Sequence, residues 1–356
     1  MNLISLLVGL GLSSGTRAKQ WNNTGKGSVI FEEAISLPYP EFDQTIAAPI
    51  LGQTYQDLIS NLGDLHNQRL RWMDESGVDY MVLSLTSPGI QAISNITLAE
   101  RLATKANNDI AAMIANNTMR FGAFAALSMH NATQAAEELR RCVKDLGFHG
   151  ALLNDFQQAG SDNNTLHYYD TPDYDPFWST VVELDVPVYL HPRAPTDLIK
   201  KLDFAHATWV LGAPHQFAVE LSTHIVGLCT NGVFDRFPKL KVVVGHLGER
   251  LPSDFWRLDT MLARKVPQGM PMKKTFSNYW KTNIYETTTG NFWTELLNFH
   301  RNLLGDDRIL YSVDYPFNMM QEGAAWVNTL PYSDKSKLDF IRNNAIKLLK
   351  LDSGWH

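Results

Sequence analysis

Lys241-Val-Val-Val-Gly-His-Leu-Gly-Glu249 is the stretch that decides how this chain folds. Three β-branched residues in a row make a short apolar run, and the run ends at a glycine followed by a histidine. Before it lies Phe217 to Asn231, whose apolar residues return every three or four positions and which stops at Gly232. After it comes Leu251 to Arg264, with the same period. A strand set between two amphipathic helices is the βα unit of a parallel sheet, not a piece of a β-sandwich.

Working outward, the same unit recurs until eight runs are counted. The other seven are Val29-Ile-Phe-Glu-Glu33, Tyr80-Met-Val-Leu-Ser-Leu85, Phe121-Gly-Ala-Phe-Ala-Ala-Leu127, Gly150-Ala-Leu-Leu153, Pro187-Val-Tyr-Leu-His191, Ile284-Tyr-Glu-Thr287 and Ile309-Leu-Tyr-Ser-Val-Asp314. Helical stretches Tyr55 to Ser76, Thr97 to Asn116 and Ala132 to Leu146 fill gaps between them, with Gly77 and Gly147 as further stops. Eight parallel strands close a barrel, so the predicted fold is an α/β (β/α)8 TIM barrel with a closing C-terminal helix over Ser333 to Leu351. Leu37 to Gln56 and Ala194 to His215 are long enough to form loops over one mouth. Residues 27–356 read as one domain.

Composition agrees with a large globular core: 356 residues, 44% hydrophobic and 19% charged. The net charge of -6 and the lack of a basic cluster argue against a nucleic-acid partner. Cys142 and Cys229 are far apart and lie in helix-like patterns, which excludes a disulfide framework and a cysteine zinc site. A metal here must therefore use histidine and carboxylates. Residues 1–26 stand apart from the barrel pattern. Met1 to Ser14 has the length of a signal-peptide core but no positive n-region, and it is too short to span a bilayer. Two readings stay open: a signal cleaved near Ala18 from a secreted chain, or a disordered extension of a cytoplasmic one. Sequons at Asn22, Asn95, Asn116, Asn131 and Asn163 suit the first, although an asparagine-rich chain produces some by chance.

Catalytic groups of such barrels sit at the carboxyl ends of the strands. Four ends carry suitable residues: Glu32-Glu33, His191-Pro-Arg193, Gly245-His246-Leu-Gly-Glu249 and Asp314-Tyr-Pro-Phe317. Carboxylates and a neutral imidazole bind a divalent ion while leaving positions for water or substrate, and Glu32, His191 and Asp314 supply that set. A lone strand-end aspartate is more often a helix cap; it is the joint placement of the three that points to a metal. His66, His149, His167, His300 and His356 lie on helices, turns or the terminus and are read as surface or core residues, while His130 is a candidate helix cap and His206, His215 and His224 are candidate pocket residues, none of them named as catalytic.

Ile30-Phe-Glu-Glu-Ala34, Arg120-Phe-Gly-Ala-Phe-Ala-Ala-Leu-Ser-Met-His-Asn131, His191-Pro-Arg193, Asn231-Gly-Val-Phe-Asp-Arg-Phe-Pro238, Gly245-His-Leu-Gly-Glu249 and Ser312-Val-Asp-Tyr-Pro-Phe317 occur in unbroken order. Together they resemble the amidohydrolase-superfamily aromatic acid decarboxylases, the ACMSD-like family. The resemblance runs from about Gly27 to Leu351 and is nearest to the fungal 2,3-dihydroxybenzoate decarboxylase group, with the salicylate and γ-resorcylate decarboxylases alongside. It implies nonoxidative loss of CO2 from an ortho-hydroxybenzoic acid: 2,3- or 2,6-dihydroxybenzoate, salicylate, or a polyketide acid such as orsellinate or 6-methylsalicylate. It also implies one divalent ion (Zn, Mn or Mg), no organic cofactor, and a homodimer or homotetramer without a membrane span.

By the same resemblance Glu32, His191 and Asp314 match the metal ligands. Asp314, His246 and Glu249 match catalytic positions, with Asp314 as the proton donor to the ring carbon. Arg257 and Phe317 match substrate-binding positions. Many superfamily members have His-x-His on the first strand; the corresponding residues here are Glu32 and Ala34, which leaves the metal's identity open. Arg250 stands where several relatives have histidine. A metal-dependent hydrolase of an ester, lactone or amide is the nearest competing activity, and a catalytically inactive barrel acting as a binding protein is the other alternative.

Overall fold

In a computed structural model, residues 20–42 and 49–352 are described. The barrel strands are β1 Ser28–Ile35, β2 Val78–Leu85, β3 Phe121–Ala123, β4 Ala151–Asn154, β5 Val188–His191, β6 Val242–Val244, β7 Ile284–Thr287 and β8 Ile309–Leu310. Neighbours pair in parallel from β1 to β3 and from β4 to β8. One seam is bridged at Ala125 and Ala151. At the other, the Ala34 amide donates to the Tyr315 carbonyl across 2.7 Å, which closes the ring into a (β/α)8 barrel.

Strand alternation sorts the apolar residues into two cores. Val29, Phe31, Tyr80, Val82, Phe124, Leu152, Tyr189, Val243 and Leu310 fill the inside of the barrel. Ile30, Met81, Leu83, Leu153, Leu190, Val244 and Ile309 face outward and pack with helix residues such as Leu102, Leu139, Val181 and Leu221. A register shift between Ile30 and Glu33 interrupts the alternation of β1 just where it reaches the mouth.

Several expected boundaries move, each for a visible reason. Tyr55 to Ser76 is two helices, Tyr55–Gly63 and Gln68–Glu75, because the Asp64 carboxylate takes the amides of Asn67 and Arg69. Leu251 to Arg264 begins as a 3-10 turn and becomes α-helical over Phe255–Ala263. The closing helix is broken by a π-turn at Asp339–Asn343. Regular pairing of β8 ends at Leu310, because side chains replace the ladder beyond it: Phe31 donates to Ser312 Oγ at 2.9 Å, and the amides of Val313 and Tyr315 go to Glu33. An antiparallel hairpin, Gln157–Ala159 with Thr165–His167, follows β4.

Of residues 1–26, read above as a possible signal or disordered extension, 1–19 lie outside the described residues, whereas Trp21 is packed. Its ring meets Tyr80 edge-on at 5.9 Å and its indole N–H donates to Asp352. Packing thus reaches at least to Trp21, ahead of Gly27. No described helix is long and apolar enough to cross a membrane.

Candidate metal and active site

Glu32 is buried at the barrel mouth, 3% exposed, and its two oxygens have different surroundings. Oε2 accepts from the Tyr189 hydroxyl and, at 3.0 Å, from Thr287 Oγ1. Oε1 is buried without a hydrogen-bond partner. It faces His191 Nε2 at 3.4 Å and His246 Nε2 at 3.6 Å. Gly245 makes this approach possible, since a Cβ there would stand 2.8 Å from both Glu32 oxygens and from the Tyr189 hydroxyl.

His191 ends β5 with Nδ1 2.6 Å from the Pro192 carbonyl. A carbonyl only accepts, so Nδ1 carries the proton and Nε2 presents its lone pair to Glu32. Burial, reinforced by the charge of His246, holds the His191 pKa down at about 3. His246 is the opposite case. Burial works against its charge, yet the Glu249 and Glu32 carboxylates outweigh this and raise it to about 10. Its Nδ1 is 2.6 Å from Glu249 Oε1, and Nε2 is 4.0 Å from Asp314 Oδ2.

His246 and Glu249 meet because the backbone between them is left-handed. His246, Leu247, Gly248, Glu249 and Arg250 have φ of 54°, 52°, 68°, 50° and 68°. Thr289 Oγ1 accepts the His246 amide at 2.7 Å, Asn291 Nδ2 donates to the His246 carbonyl at 3.0 Å, and Leu247 is buried beneath. Asp314 is likewise left-handed, with φ 75°. Its carbonyl accepts the amides of Phe317 and Asn318, which makes it the first residue of a turn.

The expected residues Glu32, His191, His246, Glu249 and Asp314 therefore gather in one mouth. Donor atoms of Glu32, His191 and His246 lie within 4.8 Å of one another, and Asp314 meets that group at its edge, through His246. Phe317 sits half-buried in the Asp314 turn. Arg257 lies apart: it is exposed on the helix Phe255–Ala263 with no hydrogen bond or ion pair to another described residue. Arg250 binds His215 and the Pro214 carbonyl. His149 and His300 are buried, as read from the sequence, and His224 pairs with Asp155 at 3.0 Å.

The sequence reading does not single out Tyr189, Thr287 or Thr289, and it places Glu33 at a strand end without a role of its own. Thr287-Thr-Thr289, a run of hydroxyls at the end of β7, was the one signal in the sequence that could have drawn attention to that strand.

Burial pushes Glu32 up to about 8, against the pull of His246, and Asp314 up to about 7 in the same way. An orphaned carboxylate oxygen, an imidazole lone pair aimed at it and a further carboxyl nearby fit a divalent cation: the ion would supply both the missing partner and the missing charge.

Comparison with known proteins gives the same picture. The family described as "Amidohydrolase" matches residues 61–351. Over 328 residues the chain is 40% identical to the γ-resorcylate decarboxylase of Rhizobium sp. (strain MTP-10005), spanning 92% of this chain and 99% of that one. Structures of 2,6-dihydroxybenzoate decarboxylase, one from Rhizobium and one complexed with 2,6-dihydroxybenzoate, each match with a TM-score of 0.86 at 40% identity, over 92% of this chain and all of theirs. A dihydroxybenzoic acid decarboxylase from Polaromonas sp. JS666, with bound manganese and the inhibitor 2-nitroresorcinol, matches with a TM-score of 0.86 at 38% identity, over 92% of this chain and 98% of that one. With this likeness running along nearly the whole barrel and its mouth, the chain belongs to the amidohydrolase family and, within it, to the aromatic acid decarboxylases, which makes it a carboxy-lyase.

Proposed function

We propose that this carboxy-lyase removes CO2 without oxidation from an ortho-hydroxylated benzoate, with 2,6-dihydroxybenzoate ahead of 2,3-dihydroxybenzoate as its substrate. The observation that carries the reading is the partnerless Oε1 of Glu32 between two imidazole Nε2 atoms, with Asp314 beside them. Glu32 and His191 would hold one divalent ion of the manganese, zinc or magnesium class, with Asp314 as the third ligand. When bound, the ion supplies a Lewis acid that favours the ionised, electron-rich form of the substrate.

Direct loss of CO2 from an arene would leave a lone pair in an aryl σ orbital, so the ring carbon must be protonated first. Asp314 is the proposed donor. It stands at the edge of the donor cluster, 4.0 Å from His246 Nε2, where a weak or changing contact with the ion would let it take up and release a proton. The new C–H bond dearomatises the ring; the C–C bond then breaks, its electrons restore the ring, and CO2 leaves. Glu249 keeps His246 in the charged form, in which Nε2 donates to the ortho oxygen. This separates its role from that of His191, whose Nε2 is a free lone pair. Phe317, in the Asp314 turn, is the proposed contact to the ring; Arg257, exposed and apart from the mouth, is given no contact to it.

CO2 release from a panel of hydroxybenzoates tests the reading. Resorcinol plus CO2 from 2,6-dihydroxybenzoate is expected, and Asp314→Asn should lower kcat by ~10²–10⁴-fold, the range of a general acid. Cleavage of an ester, lactone or amide without CO2 release, or normal turnover by metal-loaded Asp314→Asn, would contradict it.

A further inference from the structure

Glu33 is the next residue after a proposed metal ligand, yet it takes no part in the donor cluster. It is fully buried, and its two oxygens divide between two amides of one segment on the other side of the seam. Oε1 accepts from Val313 N–H at 3.0 Å and Oε2 from Tyr315 N–H at 2.8 Å. Those are the two residues that flank Asp314.

The geometry follows from the backbone. With regular pairing of β8 over at Leu310 and β1 irregular between Ile30 and Glu33, ladder carbonyls are not placed to receive these amides. Asp314, at φ 75°, turns its neighbours' N–H groups toward a common point, which forms a concavity for an anion. The Glu33 carboxylate fills it. In the other direction Ala34 N–H donates to the Tyr315 carbonyl at 2.7 Å, so residues 33 and 34 together grip residues 313 to 315.

Arg69 backs the arrangement. Its guanidinium lies over the Tyr315 ring at 4.7 Å from the centroid and donates to the carbonyls of Ala34 at 2.8 Å and Asn61 at 2.9 Å. A non-glycine residue at positive φ persists only when its surroundings over-determine it. Here the surroundings are one carboxylate gripping the peptide on each side of Asp314.

We propose that Glu33 is a positioning residue: it holds Asp314 in the left-handed conformation that aims its carboxyl into the mouth. The proposal rests on the reading of Asp314 as the acid. It separates two adjacent buried glutamates into different tasks, Glu32 toward the ion and Glu33 toward the backbone that carries the proton donor. It also accounts for a seam at which side-chain bonds from Glu33 join the Ala34–Tyr315 backbone bond, where the other junctions use a ladder or a bridge.

Glu33→Gln keeps the size and one acceptor oxygen; Glu33→Ala keeps neither. In crystal structures of the two variants, Asp314 is expected to leave the left-handed region in Glu33→Ala and to shift in Glu33→Gln. In metal-loaded holoenzyme with 2,6-dihydroxybenzoate, kcat per loaded chain should fall ~10–100-fold for Glu33→Gln and further for Glu33→Ala, with KM changed less than about threefold, since misplacing a reacting group by ~1 Å costs on this scale. A purely structural role would lower the folded fraction and leave kcat per loaded chain unchanged.

Asp314 retaining φ near 75° in the Glu33→Gln crystal structure, or undiminished kcat per loaded chain in that variant, overturns the proposal. Should Glu33→Ala fail to fold, Glu33→Gln alone decides. A wild-type chain inactive on every hydroxybenzoate would refute the proposed function, while the crystallographic result on Asp314 would still decide the role of Glu33.

Discussion

Two halves of the active mouth are built differently. Glu32 and His191 belong to strands β1 and β5, His191 in regular register with Asn154 and Glu32 at the irregularity of β1. His246, Glu249 and Asp314 stand on left-handed backbone, at φ 54°, 50° and 75°. A left-handed non-glycine residue costs roughly 1–2 kcal/mol, so His246, Leu247, Glu249 and Arg250 together hold several kcal/mol of strain that other contacts must offset. Glu32 and His191 thus take their placement from strands, whereas the proton-handling groups depend on side chains reaching in from other segments: Thr289 and Asn291 for His246, Glu33 for Asp314. Preorganisation of this kind is concentrated where chemistry is done.

The sheet-borne half should break most completely at Gly245. Gly245→Ala places a methyl 2.8 Å from both Glu32 oxygens, and we expect more than ~100-fold loss of kcat/KM with loss of bound metal, read by kinetics and elemental analysis. Thr289→Val attacks the other half. It leaves the His246 amide without its acceptor, at a cost of ~1–3 kcal/mol in urea unfolding, and loosening His246 should lower kcat about tenfold. Thr287→Val sharpens the contrast: Glu32 Oε2 keeps the Tyr189 hydroxyl, so stability should fall by only ~0.5–1.5 kcal/mol and the metal should stay bound.

The smallest effect is expected at Arg250→Asn. Asparagine tolerates positive φ better than arginine, but the change gives up the contacts to His215 and the Pro214 carbonyl. Stability should move by less than about 1 kcal/mol in either direction, these two terms being of similar size.

The same division explains what could be read from the sequence. Strand number, the helices Ile96–Ile114 and Gln216–Thr230, and the strands bearing Glu32 and His191 were legible because periodicity and alternation are local properties, although the first strand runs past Glu33 to Ile35. The roles of Glu32 and Glu33 were not. Strict alternation from Val29 and Phe31 would send Glu33 inward, and the irregularity in β1 reverses this without a sequence mark. In the left-handed segment only Gly248 is glycine, so the turn that joins His246 to Glu249 reads as an ordinary loop. Trp21 lies in a short segment without periodicity, and contacts distant in sequence, with Tyr80 and Asp352, fix it to the barrel. Arg257 came from the resemblance and lies apart from the gathered cluster within this chain.

Metal content of the purified chain, measured beside Glu32→Gln, tests the central claim most directly. The account predicts about one divalent ion per wild-type chain and less than ~10% of that in the variant, with CO2 release falling in proportion, because a neutral amide is a much weaker ligand than a carboxylate. A wild-type chain that releases CO2 after complete removal of its metal, or a Glu32→Gln chain that keeps its full complement of the ion, would contradict it.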